Sequence, residues 1–190
     1  MICFLGGSIS IKSLDVNTRQ KLGELVQQGF SFIVGDADGA DSAFQAQLAG
    51  MHCDAVRVFY SGHSVRNNFG KWPNRRVESG YKSKGYAMHS AKDRAMGADC
   101  EMGFMLWDGQ SIGTIVNVLD LLEQGKSCWF AWSQIGGAKV IATIDEFKSL
   151  VEETSPNSWA QALDRLERFK RKSRKLSQST LELDIDWDMH

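Results

Sequence analysis

Short apolar runs alternate with amphipathic stretches along the chain. Runs rich in β-branched and aromatic residues predict strands at 2–5, 30–34, 55–60, 101–107 and 127–132, with a further edge strand at 138–143. Apolar positions at helical spacing predict helices at 16–28, 40–49, 88–98 and 112–123. Nearly continuous apolar strands separated by helices are typical of a parallel sheet covered on both faces. The pattern therefore predicts an α/β fold, a three-layer Rossmann-like sandwich with a mostly parallel sheet and a C-terminal helical extension.

The connection at 61–85 interrupts this pattern. It holds four glycines, one proline and six cations, among them Arg66 and Arg75 on either side of Trp72. Long irregular connections inside a domain are usually functional or mobile. Two hypotheses stay open: a lid that closes over a phosphorylated ligand through guanidinium contacts and stacking, and a solvated surface loop.

The sequence changes character beyond residue 143. We expect a short helix at 145–153 capped by Asp145, and a second helix that begins at Pro156. The basic run at 170–175 predicts a solvated helix end, and the acidic segment at 182–188 predicts a disordered tail. We expect one domain at 1–153, with 154–190 as an extension rather than a separate domain.

Composition narrows the classes of partner. The net charge of −1 provides no general basic field, which makes nucleic acid an unlikely main partner. The four cysteines lie far apart and lack metal-ligand spacing, so we expect no metal site and no cofactor. With neither a signal-like segment nor a bilayer-length apolar run, we expect a cytoplasmic protein with no membrane partner.

Three glycine-containing turns follow predicted strands. Gly6-Gly7-Ser8 follows the first strand, an acidic turn at 35–41 follows the second, and the turn at 107–114 opens the helix at 112–123. Ligands of parallel sheets lie outside the carboxyl ends of the strands, where these turns are expected to meet. The coincidence of the three turns carries more weight than any one of them, since Gly-Gly-Ser alone is often only a tight turn.

The acidic turn begins at Gly35 and carries three aspartates, at positions 36, 38 and 41, with Gly39 between the second and the third. Asp41 stands where a helix N-cap is expected, so a structural role is at least as good an explanation for it as a chemical one. Asp36 and Asp38 have no such explanation and are candidate catalytic or sugar-binding residues.

The third turn has the features of a phosphate site. Gly109, Ser111, Gly113 and Thr114 provide small side chains, hydroxyls and unpaired N–H groups at the positive end of a helix dipole. The alternative is a helix capped by Ser111 and no ligand. Together with the other two turns, the phosphate site is favoured.

Four motifs follow one another along the chain: Gly6-Gly7-Ser8, the G-x-x-x-G-A-D turn at 35–41, Lys92-Asp93 with Met96 before Ala98-Asp99, and Trp107-Asp108-Gly109 followed by Ser111, Gly113 and Thr114. Their order and spacing resemble the SLOG superfamily. This Rossmann-like group contains the Lonely Guy phosphoribohydrolases and the DNA-processing protein A core. The resemblance covers residues 1–132.

The resemblance implies a nucleotide or nucleotide-derived ligand, with its phosphate on the turn at 111–114 and its sugar near the acidic turn. Gly6, Gly7 and Ser8 would line the same cleft. Lonely Guy enzymes release the base with an arginine that precedes a methionine and a glutamate three residues after a Gly-Thr pair. The matching positions here are Lys92 and Asn117.

Asparagine cannot act as a general base, so the usual machinery is incomplete. Asp36, Asp38 or Asp93 would have to supply the carboxylate for cleavage of an N-glycosidic bond. Arg66 is a further candidate ligand-binding residue. The alternatives are a non-catalytic nucleotide sensor or carrier with a protein partner, and, less favoured, a single-stranded DNA-binding protein of the DNA-processing protein A type. We also expect a homodimer.

Overall fold

The computed structural model describes residues 1–78, 86–132 and 137–187, with side chains at 1–78, 91–132 and 137–171. These residues form seven strands and six helices. In chain order the elements are β1 Ile2–Gly7, α1 Val16–Gln27, β2 Ser31–Gly35, α2 Ala40–Gly50, β3 Val56–Tyr60, β4 Asn74–Arg76, α3 Tyr86–Asp99, β5 Met102–Trp107, α4 Ile112–Glu123, β6 Cys128–Trp132, β7 Gly137–Ile141, α5 Ile144–Thr154 and α6 Pro156–Trp187.

The seven strands form one sheet in the order β4-β3-β2-β1-β5-β6-β7. Every neighbouring pair is parallel except β6 and β7, which are antiparallel. From β1 the chain moves outward to β4 and then returns to place β5 on the other side of β1. The direction of the crossovers therefore reverses between β1 and β5, where a crevice opens in folds of this kind.

Alternate residues of the strands supply two cores. Phe4, Phe59 and Phe130 point to the face covered by α3, α4, α5 and α6, whereas Leu5 and Val58 point to the face covered by α1 and α2. This alternation follows from the two-residue period of a strand. The predicted three-layer sandwich with a mostly parallel sheet is confirmed.

Two strands differ from the prediction. The connection at 61–85 contains β4, whose three residues are all exposed and polar. It carried no apolar signal, because its strand conformation comes from backbone pairing with β3. The predicted edge strand at 138–143 lies at the edge, and it spans Gly137–Ile141.

Two predictions for the C-terminal part are wrong, the cap of α5 and the disorder of the acidic segment. Thr143 rather than Asp145 caps α5, through a hydrogen bond of 3.2 Å from the Glu146 N–H to its Oγ1. Helix α6 continues to Trp187, so the backbone of most of the acidic segment is helical rather than disordered. Trp159 and Leu166 of α6 are buried in the core with α4 and α5. Among the described residues, no helix has both the length and the apolar character that a membrane span requires.

Candidate functional site

A cleft opens at the carboxyl ends of the strands, between the end of β1, the acidic turn and the middle of α3 and α4. Its walls bring together six of the predicted site residues, Asp41, which was predicted as a helix cap, and three neighbours that the sequence did not single out, Phe4, Ile9 and Ala37. The predicted residues in the walls are Gly6, Gly7, Asp38, Lys92, Asp93 and Asn117. These residues come from four different elements or turns, so the fold assembles the cleft from distant parts of the chain.

The turn after β1 runs close against β5. Gly7 has φ +152°, and a Cβ on it would overlap the backbone carbonyl of Leu106. The hydroxyl of Ser8 is fully buried, lies 3.2 Å from Thr114 Oγ1 and accepts a hydrogen bond of 3.1 Å from the Asp108 N–H. Ser8 therefore links this turn to the turn before α4 and presents no free hydroxyl.

Asp108 organises the turn before α4. Its carboxylate accepts hydrogen bonds from the N–H groups of Gln110 at 2.9 Å and Ser111 at 2.7 Å, and from the Ser10 hydroxyl at 2.6 Å. Burial acts to raise the pKa of Asp108, but these hydrogen bonds outweigh it and the pKa lies below its ordinary value. The sequence prediction missed this role, although an aspartate two residues before a backbone donor is a known turn signal.

The start of α4 keeps donors for a ligand. Ser111 is the N-cap residue but makes no capping hydrogen bond, and its Oγ accepts one of 3.2 Å from Thr114 Oγ1. The N–H groups of Ile112, Gly113 and Thr114 have no acceptor within the helix, as at any helix start. A Cβ on Gly113 would meet nothing within 4 Å, so the space beside it is open. Gly109, with φ +86°, lies against the Trp132 indole.

Asp36 is held inside the protein. Its side chain is almost fully buried, and Arg66 binds both carboxylate oxygens, with Nε at 3.0 Å and Nη2 at 2.8 Å. The Arg66 backbone N–H adds a third bond of 3.2 Å. Burial would raise the pKa of Asp36, but the bonds to Arg66 lower it below its ordinary value. Asp36 is thus an ionised structural group, although the sequence made it a catalytic candidate.

Asp38 is exposed and lines the cleft. Its Oδ1 accepts a hydrogen bond of 3.1 Å from Asn67 Nδ2. Two positions of this turn require glycine, each for a different steric reason. A Cβ on Gly35 would overlap the Lys92 amine and the Asp41 carboxylate, and a Cβ on Gly39, at φ +81°, would overlap the Ile9 carbonyl.

Asp41 is not the predicted N-cap of α2. Gly39 is the N-cap residue, and Asp41 turns back to accept a hydrogen bond of 3.3 Å from the Ala37 N–H. A capping residue cannot be told from a first-turn residue by sequence when a glycine lies two positions earlier. The side chain of Asp41 lies 3.4 Å from Lys92 Nζ.

Lys92 is the buried cation of the cleft. Its Nζ lies 3.4 Å from Asp41 Oδ2 and 3.5 Å from Asp93 Oδ1, and Asp93 in turn accepts a hydrogen bond of 3.3 Å from Asn117 Nδ2. Burial acts to lower the pKa of Lys92, but the charges of Asp41, Asp93 and Asp36 raise it above its ordinary value. Burial raises the pKa of Asp41. Lys92 therefore stays protonated, with two long contacts that leave room for another acceptor.

The connection between β3 and α3 was predicted to be either a lid over a ligand or a solvated surface loop. Trp72 is buried in the core, and its indole N–H donates to the Cys53 carbonyl at 2.8 Å, so stacking on a ligand is excluded for this side chain. Arg75 pairs with Asp99 and Arg66 with Asp36. Residues 79–85 of the connection lie outside the described residues.

Within the described ranges, no group of three or more histidine, cysteine or acidic side chains is arranged to hold a metal ion. No family model, no curated protein and no solved structure matches this chain. What the site can do is therefore argued from its geometry. The walls of the cleft offer one buried cation, Lys92, and two accessible carboxylates, Asp38 and Asp93. The predicted phosphate-site residues Gly109, Ser111, Gly113 and Thr114 are not among the wall residues, and Asn117 is the residue of α4 that is.

Proposed function

We propose that the cleft binds a nucleotide or nucleotide-derived ligand, as the resemblance to the SLOG superfamily implies. The observation that carries this proposal is a cleft at the point where the crossovers reverse, with walls from the end of β1, the acidic turn, α3 and α4. The turn before α4 is not in these walls, but Ser8 joins it to the turn after β1 through Thr114 and Asp108. Crevices at that point are where open parallel sheets bind their ligands. The cleft walls offer acceptors for sugar hydroxyls, and donors for a phosphate lie at the start of α4, one helical turn before the wall residue Asn117.

The charges around the cleft favour one orientation of the ligand. A phosphate binds at the start of α4, where the N–H groups of Ile112 and Gly113 and the helix dipole favour an anion. The sugar lies toward Asp38 and Asp93, since carboxylates accept hydrogen bonds from hydroxyls and repel phosphates. Lys92 lies between Asp93 and the buried Asp41 and offsets their charge.

Hydrolysis of the N-glycosidic bond is a second candidate function, favoured by Asp38 and Asp93, the two accessible carboxylates of the three in the cleft walls. Asp93 is partly accessible and is held by Lys92 and Asn117. In such a reaction, the water oxygen bonds to C1′ of the sugar while Asp93 takes the water proton. The bond from C1′ to the base breaks, and its electron pair leaves with the base. The proton that Asp93 took from water then passes to the base, which restores the carboxylate. Asp36 takes no part, because Arg66 occupies both of its oxygens.

Binding is tested by thermal-shift measurement with AMP, GMP, CMP, ADP-ribose and NAD. We expect at least one of them to stabilise the protein, and Gly113→Glu to abolish that stabilisation because its carboxylate competes for the start of α4. Gly113→Gln is the matched control for bulk, and it should retain more of the stabilisation. If none of these compounds stabilises the protein, the binding proposal is wrong.

Turnover is tested by chromatography of the same mixtures for released base. Base release that Asp93→Asn abolishes, with binding retained, supports the hydrolase. Stabilisation without base release supports the alternative of a nucleotide sensor or carrier.

A further inference from the structure

The segment 66–69, which we call the strap, is fastened to the acidic turn. Arg66 binds the Asp36 carboxylate, and the buried Gln45 amide donates to the carbonyls of Gly35 at 2.8 Å and Asn67 at 3.1 Å. The Gln45 Oε1 also accepts a hydrogen bond of 3.1 Å from the Phe69 N–H. The strap therefore has a fixed position relative to the turn at 35–38.

Asn67 is the residue of the strap that binds Asp38, a residue of the cleft wall. Its Nδ2 donates to the Asp36 carbonyl at 3.0 Å and to the Asp38 carboxylate at 3.1 Å. The first bond fixes the amide against the backbone. The second donates the remaining hydrogen of the Asn67 amide to Oδ1 of Asp38. An exposed aspartate side chain is otherwise free to change rotamer, which lowers affinity through the entropy of ordering it.

We propose that Asn67 is a positioning residue that orients the Asp38 carboxylate toward the sugar hydroxyls of the ligand. With Oδ1 of Asp38 bound to Asn67, Oδ2 is the oxygen that accepts from the ligand. This inference rests on the proposed function, because it assigns Asp38 to the sugar of a nucleotide in the cleft. Asn67 itself acts through Asp38 and does not contact the ligand.

The chain offers a matched control one residue further on. The side-chain amide of Asn68 donates to the Trp72 carbonyl at 2.8 Å and accepts from the Trp72 N–H at 2.9 Å. Asn67→Asp and Asn68→Asp therefore make the same change of charge in the same loop, but only the first removes the donor to Asp38. Asn67→Ser is a neutral second variant with a side chain too short to reach Asp38.

The first measurement needs no ligand. We expect crystal structures of Asn67→Asp and Asn67→Ser to have Asp38 in a different rotamer or in several, and the structure of Asn68→Asp to keep the wild-type rotamer. If Asp38 keeps its conformation in both Asn67 variants, the inference is wrong.

The second measurement compares the affinities of AMP and 2′,3′-dideoxy-AMP, which lacks both ribose hydroxyls. We expect wild type and Asn68→Asp to prefer AMP by about tenfold, the value of a hydrogen bond to a charged group. In both Asn67 variants this preference should fall to about twofold or less. A merely structural role of Asn67 would weaken both compounds equally.

The two failures are distinguishable. Absence of AMP binding to the wild-type protein, with the other four compounds also inactive, overturns the proposed function, and with it the assignment of Asp38 to a sugar. AMP binding with an unchanged preference in the Asn67 variants overturns only the role of Asn67.

Discussion

The acidic turn at 35–41 and the turn at 107–114 have the same description in sequence, a glycine turn with an aspartate between a strand and a helix. Their chemistry differs. Two of the three carboxylates in the acidic turn are buried against the cations Arg66 and Lys92. Asp108 of the other turn is instead bound by N–H and hydroxyl groups, and among the described residues it has no ion-pair partner.

The comparison teaches which groups remain for a ligand. In the acidic turn the protein uses Asp36 and Asp41 for itself and leaves Asp38 at the cleft. In the other turn Asp108 uses the N–H groups of Gln110 and Ser111 and leaves those at the start of α4. A motif can therefore mark the place of a site while most of its polar groups serve the fold.

The largest expected effect is a difference in the free energy of unfolding between alanine variants of Gly39 in the acidic turn and Gly113 in the other turn. Gly39→Ala should lower the free energy of unfolding by about 3 kcal/mol, because its Cβ would overlap the Ile9 backbone at a positive φ. Gly113→Ala should leave it unchanged within about 0.5 kcal/mol, since the space there is open. Urea unfolding measures both, and equal losses would contradict the difference between the turns.

The next largest expected effect is the loss of stability when the ion pair between Arg66 and Asp36 is broken. Arg66→Ala should cost about 2 kcal/mol, because it leaves the buried Asp36 carboxylate without its cation. Arg75→Ala is the matched control, since its pair with Asp99 is exposed and should contribute less than about 1 kcal/mol. Similar losses in the two variants, measured by urea unfolding, would mean that Arg66 adds no more than a surface charge.

The same pair makes part of the stability depend on pH. The pKa of Asp36 is lower in the folded protein than its ordinary value of 3.8. Wild type should therefore be more stable than Asp36→Asn at pH 7, and this advantage should shrink as the pH falls below 3.8 through the folded pKa. Urea midpoints of both proteins between pH 7 and pH 3 measure the advantage. A constant difference would show that the Asp36 charge does not stabilise the fold.

The smallest effect concerns Asp108. Asp108→Asn removes a negative charge near the proposed phosphate, so AMP should bind about two- to fivefold more tightly. The control Asp54→Asn removes the same charge at the amino end of β3, far from the cleft, and should change nothing. Calorimetry of AMP binding measures both. Weaker binding to Asp108→Asn would show that the hydrogen bonds by which Asp108 orders the turn matter more for AMP than its negative charge does.

Most of the fold could be predicted from the sequence, because buried strands such as β5 are continuous apolar runs with helices of regular period between them. β4 could not, since Asn74, Arg75 and Arg76 form a strand only by pairing with β3. The length of α6 could not either, because charge composition at 182–188 favours disorder whatever helix precedes it.

Part of the cleft wall could be predicted, since strand ends and glycines mark places where turns lie close: six of the predicted residues are in the walls, and the predicted residues at 109–114 are not. Their individual roles could not. Asp36 and Asp38 are two residues apart and alike in sequence, but one is buried against Arg66 and the other is exposed. Only the path of the strap, with Gln45 and Asn67, decides between them, and that path depends on contacts across more than 20 residues.

The proposed meeting of three turns in one ligand site is tested most directly by following the backbone amide resonances of the protein during titration with each of AMP, GMP, CMP, ADP-ribose and NAD. With at least one of these compounds, we expect the resonances of Gly7, Asp38 and Gly113 to shift together with one dissociation constant. Shifts confined to one turn, or no shift with any of them, would contradict a single nucleotide cleft.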